Sequence, residues 1–174
     1  MDVVLYPDPR LRAKNAPVEV FDAELAATAR AMFEAMYRTE GVGLAAPQVG
    51  INRRLLVYNP AGKADEPDQE MVLCNPRIAW KSRVLEPGRE GCLSFPGIHG
   101  EIERPIGVKI EAQGLDGAPL TLELSDWDAR IFLHEFDHLD GVLFIDRMTP
   151  ADKTRNAPAL EELVDRYRER VAGS

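Results

Sequence analysis

The sequence predicts an α+β fold, with short and mainly antiparallel strands around a central helix and a further helix at the C-terminus. Residues 108–111 and 120–124 alternate apolar and polar side chains on either side of a Gly-containing turn, as a half-buried hairpin does. Residues 22–38 and 158–170 instead place their apolar side chains at helical spacing. Antiparallel strands that pack against separate helices are the layers of an α+β domain.

The composition bounds the class of protein. The chain has 174 residues, of which 45% are hydrophobic and 29% charged, so we expect one globular domain over residues 1–174. A net charge of -8 argues against a DNA partner, because phosphate contacts require a basic face. No signal peptide and no membrane-spanning apolar run is recognisable, which favours a bacterial cytoplasmic protein with no membrane partner. Cys74 and Cys92 would then be reduced.

The first elements are predicted from punctuation and periodicity. Three prolines among the first 17 residues indicate an extended, irregular start. The helix over residues 22–38 would begin at the cap residue Asp22 and stop before Gly41. We expect this helix to pack and to carry no chemistry.

The middle of the chain reads as strands. Short β-like runs occupy residues 55–58, 71–74 and 78–85. The polar segment 63–70 between the first two contains a proline and is predicted to be a solvated, dispensable loop. The hairpin follows, then the central helix, and finally the helix from about residue 158 to residue 170.

The central helix carries two histidines on its inward face. Ser125 and Asp126 are good cap residues for its start, and Gly141 lies where a left-handed residue would end it. One stripe runs along the helix at positions i, i+4, i+7 and i+11: Trp127, Ile131, His134 and His138. Because an unpaired buried imidazole is costly, this placement favours a ligand role for both histidines.

His134 and His138 form the ends of an H-E-x-x-H pattern. They stand one helical turn apart, so both rings can reach a single metal ion. Glu135 lies roughly 100° around the helix from His134, where it could take a proton from a metal-bound water. The pattern is short, and a chance match on a solvated helix is the alternative. The inward stripe favours the metal site, and with it a hydrolase.

A catalytic metal site requires a third protein ligand and one open position. Cys92 is the favoured candidate, since it lies between turns rich in Pro and Gly and follows Gly91, which permits close backbone approach. His99 remains an alternative ligand. Cys74 lies in an apolar run and is predicted to be a small buried hydrophobe.

The segment G-V-G-L-A-A-P-Q-V-G at residues 41–50 is unusual but ambiguous. Its glycines lack the spacing of a dinucleotide-binding loop, and the segment reads as a flexible turn leading to a strand. Gln48 is its only polar side chain, and its amide could donate to a developing oxyanion. The residues alone leave that role open.

Three motifs together resemble those of the peptide deformylases. They are the segment at residues 41–50, E-G-C-L-S at 90–94 and H-E-F-D-H-L-D-G at 134–141, and the similarity runs from residue 6 to at least residue 146. The resemblance implies a compact α+β fold with the metal helix at its centre. It also implies an enzyme that removes the formyl group from the formyl-methionyl N-termini of nascent polypeptides.

The same resemblance implies the identity of the metal ligands. By position they would be Cys92, His134 and His138. The ligand set by itself favours zinc. The family resemblance instead implies Fe2+ in the cell, with Zn2+, Ni2+ or Co2+ in purified protein.

The mechanism that the resemblance implies is hydrolysis by a metal-bound hydroxide. This hydroxide would attack the formyl carbon and release formate. Glu135 would act as general acid and base. Gln48 and the backbone N–H of Leu93 would hold the oxyanion, a role that the resemblance supplies.

Substrate contacts are expected close to the motifs. Val42 and Ile131 are candidates for an apolar slot that receives the methionine side chain. Extended substrate backbone is expected to pair with strand edges near Gly43 and Gly91. This arrangement would tolerate varied sequence after methionine.

Several charged side chains could have either a structural or a functional role. Arg130 is expected to pair with a carboxylate rather than to touch substrate. Glu90 and Arg104 could form a buried pair that supports the Cys92 loop, or a solvated rim pair. A C-terminal cluster could contact the ribosome transiently through RNA, although a charged outer helix face is favoured: Arg166, Arg168 and Arg170.

Three other kinds of protein could carry the same helix. A zinc peptidase usually takes a downstream His or Glu as its third ligand, and no histidine follows His138. A non-catalytic binding protein would be expected to lack Glu135, Gln48 or a ligand. A structural metal domain would need a fourth protein ligand in place of the open position.

Overall fold

The computed structural model describes residues 1–174 and contains three α-helices and seven β-strands. The helices are α1 (Ala23–Arg38), α2 (Asp126–Leu139) and α3 (Pro150–Ala172). The strands are β1 (Gly43–Ala45), β2 (Leu55–Tyr58), β3 (Met71–Lys81), β4 (Leu85–Cys92), β5 (Phe95–Pro105), β6 (Gly107–Gln113) and β7 (Pro119–Ser125). Short 3-10 helices lie at Pro9–Arg12, Ala46–Val49, Pro67–Gln69 and Phe144–Asp146.

The strands form two antiparallel sheets. Five of them pair in the order β1-β2-β3-β6-β7, and β4 pairs only with β5. The β6–β7 hairpin pairs Gly107 with Ser125 and Gln113 with Pro119, as the alternating pattern predicts. The predicted α+β class, with mainly antiparallel strands and a C-terminal helix, is confirmed.

The five-stranded sheet lies between two helices. Leu55 and Val57 of β2 belong to the cluster that includes the buried face of α1. Leu56 and Tyr58, which point to the opposite face, pack with α2. The β4–β5 hairpin contacts α2 as well, and a third cluster joins β5 to α3. Helix α2 is therefore the central helix.

Helix α1 is the packing helix that its periodicity predicts. The Asp22 side chain accepts a hydrogen bond from the Leu25 N–H at 3.0 Å, which caps the first turn. The helix ends at Arg38, shortly before Gly41. Met32 and Phe33 are buried in its core-facing stripe.

The strand prediction for residues 71–85 needs correction. A single strand, β3, covers Met71–Lys81, and β4 begins only at Leu85. The register shifts between Cys74 and Arg77, where the chain contains Asn75 and Pro76. This bulge breaks the apolar alternation without ending the strand, which is why the sequence reads as two runs.

The prediction that the C-terminal helix starts near residue 158 is also wrong. Helix α3 starts at Pro150, and the Thr149 hydroxyl caps it by accepting from the Asp152 N–H at 3.2 Å. Pro158 lies inside the helix. The carbonyl that loses its N–H donor belongs to Thr154, which is exposed, so water can replace the missing donor.

Two segments expected to be irregular are held in place. The N-terminal stretch contains the 3-10 helix Pro9–Arg12, which the Asp8 carboxylate caps. The side chain of Asn59 donates to the carbonyls of Lys63 and Glu66, so segment 63–70 is bound to the fold rather than simply solvated. Among the helices, none combines the length and apolar composition that a bilayer crossing demands.

Candidate metal centre

Cys92, His134 and His138 converge at the end of β4 and the C-terminal half of α2. One ligand atom from each lies within 4.8 Å of the other two, and the Cys92 Sγ is 3.4 Å from the His138 Nε2. The alternative ligand His99 is exposed and stands beside Gly91, outside this group. Cys74 is fully buried in the core, as predicted. The geometry therefore supports Cys92 as the third ligand.

The inward stripe of α2 is confirmed except at its first residue. Ile131, His134 and His138 are buried. Trp127, in contrast, is 49% exposed, and its indole N–H donates to the Pro60 carbonyl at 3.2 Å. It lies in the first turn of α2, at the rim of the site and outside the apolar core.

Glu90 fixes the orientation of His134. Its Oε1 lies 2.9 Å from the His134 Nδ1, which leaves Nε2 as the nitrogen that can bind a metal ion. Arg104 donates to both oxygens of Glu90 at 2.9 Å, and both side chains are buried. Burial raises the pKa of Glu90, but Arg104 and His134 outweigh it and lower the pKa to about 2. The buried alternative for the Glu90–Arg104 pair is confirmed.

The charged network extends on both sides of Glu90. Arg104 also donates to Asp137 of α2 at 2.6 Å, and Arg147 donates to the same carboxylate. Arg130 donates to the Glu90 Oε2 at 2.8 Å, so its predicted pairing with a carboxylate is confirmed. The link from Glu90 to the metal helix was not predicted. A signal was present, since residues two apart in a strand share a face and Glu90 precedes Cys92 by two.

The electrostatics of the three ligands suit a cation. Burial lowers the pKa of His138 well below its usual value, so the imidazole is neutral and keeps a free lone pair. Burial also opposes a charge on His134, yet Cys92 and Glu90 raise its pKa well above the usual value. A divalent ion would have to displace the proton of His134, and the negative charges of Glu90 and of a metal-bound Cys92 thiolate would favour the ion. A thiolate and two imidazoles with no fourth side chain fit a catalytic Zn2+ or Fe2+ site.

Glu135 is placed as an acid–base group. It is buried beside the three candidate metal ligands, and burial raises its pKa to about 7. Its Oε2 has no hydrogen-bond partner within the protein and can accept a proton. A Cβ at Gly43 would come within 2.7 Å of the Glu135 Oε1, so only glycine leaves room for the carboxylate there. A pKa near 7 suits proton transfer at neutral pH.

Gln48 faces Cys92 from a rigid turn. Its segment forms β1 and the 3-10 helix Ala46–Val49, so the prediction of a flexible turn is wrong. The Oε1 of Gln48 accepts from the Ala45 N–H at 2.9 Å, which turns the amide N–H₂ group toward the Cys92 Sγ at 3.4 Å. The same group donates to Ser94, a contact that the sequence did not suggest.

A cavity of about 740 Å³ opens onto this group. Glu135, Gln48 and two of the three candidate ligands line it. The residues predicted to contact substrate line the same cavity: Val42, Gly43, Gly91, Leu93 and Ile131. All the site residues proposed from sequence therefore lie in or beside one open cleft between β1, β4 and α2.

The fold and this site together define a class of protein. It is an α+β protein whose central helix carries an H-E-x-x-H candidate metal centre, completed by a cysteine from a separate hairpin. A family model described as polypeptide deformylase matches residues 1–154. The chain belongs to the polypeptide deformylase family.

Individual relatives agree in sequence and in structure. Peptide deformylase 1B, chloroplastic/mitochondrial, of Arabidopsis thaliana is 50% identical over 98% of this chain and 62% of its own length. The peptide deformylase of Acinetobacter baumannii is 40% identical over 99% of this chain and 97% of its own length. The chain thus spans about three fifths of the plant relatives, but nearly all of this bacterial one.

Solved structures show the same fold. A crystal structure of plant peptide deformylase PDF1B matches with a TM-score of 0.97 and 49% identity, covering 99% of this chain and 93% of that one. The peptide deformylase of Plasmodium falciparum matches with a TM-score of 0.94 and 44% identity, covering 96% of this chain and 97% of that one. Helix α2 and the sheets around it are therefore arranged as in these two deformylases.

Proposed function

We propose that this chain is a metal-dependent hydrolase that removes the formyl group from formyl-methionyl N-termini of nascent polypeptides. The observation that carries the proposal is the convergence of Cys92, His134 and His138 beside a buried, unpartnered Glu135 oxygen in an open cavity. Membership of the deformylase family supports the same reaction.

The residues divide the reaction between them. When bound, a divalent ion supplies Lewis acidity, which lowers the pKa of water toward neutrality and polarises the formyl oxygen. Glu135 accepts the proton of the attacking water and returns it to the departing nitrogen. The C–N bond breaks, and formate and a free methionyl amine leave. The Gln48 amide and the Leu93 N–H donate to the oxygen that becomes negative during attack.

Cys92, His134 and His138 would hold the ion, with Glu90 keeping the His134 ring in place. We propose Fe2+ in the cell, and Zn2+, Ni2+ or Co2+ as replacements in purified protein. This preference can be tested by metal analysis of protein purified under anaerobic conditions, alongside its activity. The anaerobically purified protein should contain iron. Forms loaded with equal amounts of Zn2+, Ni2+ or Co2+ can then be compared with it in activity.

Recognition is proposed to rest on the main cavity and its edges. Val42 and Ile131 form the slot for the methionine side chain, hereafter the methionine slot. Substrate backbone pairs with the chain near Gly43 and Gly91. Both glycines line the cavity, where the lack of a side chain allows close approach.

The direct test is formate release from formyl-Met-Ala-Ser by iron-loaded protein under anaerobic conditions. We expect Glu135→Ala to retain the metal and to lose nearly all turnover, because the proton acceptor is gone. Near-normal activity of this variant would refute the assignment. Cleavage of an internal amide bond, with no formate released, would instead favour a peptidase.

Ribosome contact and location remain predictions. Arg166 pairs with Glu162 and Arg168 with Asp165, which supports a charged outer face of α3. If these arginines only form a charged outer face, replacing Arg166, Arg168 and Arg170 with glutamine should leave ribosome co-sedimentation unchanged. The relatives include both plant organellar and bacterial proteins and therefore favour neither location. The proposal of a bacterial cytoplasmic location rests on the sequence alone.

A further inference from the structure

Two cavities meet at the start of α2. The main cavity contains the metal centre, and a second cavity of about 200 Å³ lies between α2, the start of β4 and the end of β5. Their linings share only Trp127 and Arg130. Trp127 is half exposed at the rim, whereas the Arg130 side chain is only 12% exposed. Arg130 is therefore the buried part of the partition between the cavities.

The Arg130 guanidinium is held at three points. Its Nη1 donates to the Glu90 Oε2 at 2.8 Å and to the Ile102 carbonyl at 2.9 Å. Its Nη2 donates to the Glu86 carbonyl at 2.7 Å. These partners lie on both strands of the β4–β5 hairpin, so the side chain spans the gap between α2 and the hairpin. A planar group fixed in this way is a rigid wall.

Strand β4 leaves space for this wall at Gly88. A Cβ built at Gly88 would lie 2.6 Å from the Arg130 Cζ, closer than such atoms can approach. The strand thus lacks a side chain at the point where the guanidinium lies. Gly88 and Arg130 are therefore sterically matched in the structure, although they are 42 positions apart in the sequence.

We propose that Arg130 is the back wall of the methionine slot and determines how long a side chain the slot accepts. Arg130 directly precedes Ile131 on α2 and lines the same cavity. It closes the slot off from the second cavity, which would otherwise extend it. This inference rests on the proposed function, because it concerns the side chain of the formylated residue.

The test compares two substrates that differ only in side-chain length. One is formyl-Met-Ala-Ser; in the other, 2-aminooctanoic acid, whose unbranched side chain is two atoms longer, replaces methionine. The readout is the ratio of kcat/KM for the longer substrate to that for methionine. In Arg130→Ala this ratio should rise about 10-fold over wild type, roughly what burial of two further methylenes is worth.

The ratio separates a wall from a structural role. Loss of the Glu90 contact would disturb His134 and lower the rates for both substrates alike, leaving the ratio unchanged. Arg130→Lys loses the planar group but keeps the charge and most of the side-chain length, so its ratio should rise less than that of Arg130→Ala. If Arg130→Ala does not fold, Arg130→Met gives the comparison, with a smaller rise because it fills part of the gap.

Two outcomes would overturn the inference, and they are distinguishable. An unchanged ratio in Arg130→Ala and Arg130→Met, with wild-type protein active on formyl-Met-Ala-Ser, would reject the wall and leave the proposed function intact. A wild-type protein that releases no formate would reject the proposed function, and the wall with it.

Discussion

Replacing Arg104 with methionine should destabilise the protein strongly. Arg104 is buried between two carboxylates, with two hydrogen bonds to Glu90 at 2.9 Å and one to Asp137 at 2.6 Å. Methionine has a similar volume but cannot donate. Removing one partner of a buried ion pair typically costs about 3–5 kcal/mol, because the remaining charge stays buried.

The loss should be measurable by equilibrium urea unfolding and by thermal melting. For a chain of this size, 4 kcal/mol corresponds to a drop in Tm of roughly 10 °C. The matched control is Arg77→Met, which removes an exposed arginine paired with Glu111 on the sheet surface. Exposed pairs contribute about 0–1 kcal/mol, so this control should melt close to wild type.

The comparison can refute the reasoning. If Arg104→Met and Arg77→Met lower the free energy of unfolding by similar amounts, the buried network does not stabilise the β4–β5 hairpin against α2. A second check is the double variant with Glu90→Gln. Its loss of stability should be smaller than the sum of the two single losses, because both substitutions break the same Glu90–Arg104 contact.

Two further predictions concern the site and the acid stability. Gly43→Ala should reduce kcat/KM at least ~100-fold with metal retained, since its Cβ displaces the Glu135 carboxylate; Gly107→Ala, whose Cβ would meet nothing closer than 3.6 Å, should be unaffected. Burial raises the pKa of Glu70, but hydrogen bonds from Arg30 and a tyrosine lower it overall. A lowered pKa stabilises the fold above the unfolded pKa of 4.5, and this gain is lost as pH falls. Between pH 5 and pH 3, wild type should therefore lose more unfolding free energy than Glu70→Gln, and equal losses would contradict the assignment.

The elements that could be predicted are those whose own sequence shows the period of their structure. Helices α1 and α2 and the β6–β7 hairpin each bury one regular face. The β4–β5 hairpin could not be read in this way, because buried positions in β5 include Gly100 and Arg104 rather than only apolar residues. Those residues are set by distant partners: a Cβ at Gly100 would meet Met148, and Arg104 serves Asp137.

In the candidate site, too, some residues could be predicted from local sequence and others could not. The two histidines and Glu135 follow from helical geometry within five residues, and Cys92 from its glycine-rich setting. The roles of Gln48 and Leu93 needed the family resemblance. The contact between Glu90 and His134 joins residues 44 positions apart, and Arg130 forms a partition only because β4 and β5 bring carbonyls to it. Such contacts depend on tertiary packing, which no local pattern encodes.

The ligand set is tested most directly by X-ray absorption spectroscopy of zinc-loaded protein. We expect one sulfur at about 2.3 Å and two imidazole nitrogens at about 2.0–2.1 Å, with a light atom from solvent completing the shell. The chain supplies its own control, because it has only two cysteines. Cys92→Ser should remove the sulfur signal and Cys74→Ala should keep it. Sulfur scattering that persists in Cys92→Ser, or a fourth protein ligand in wild type, would contradict the assignment.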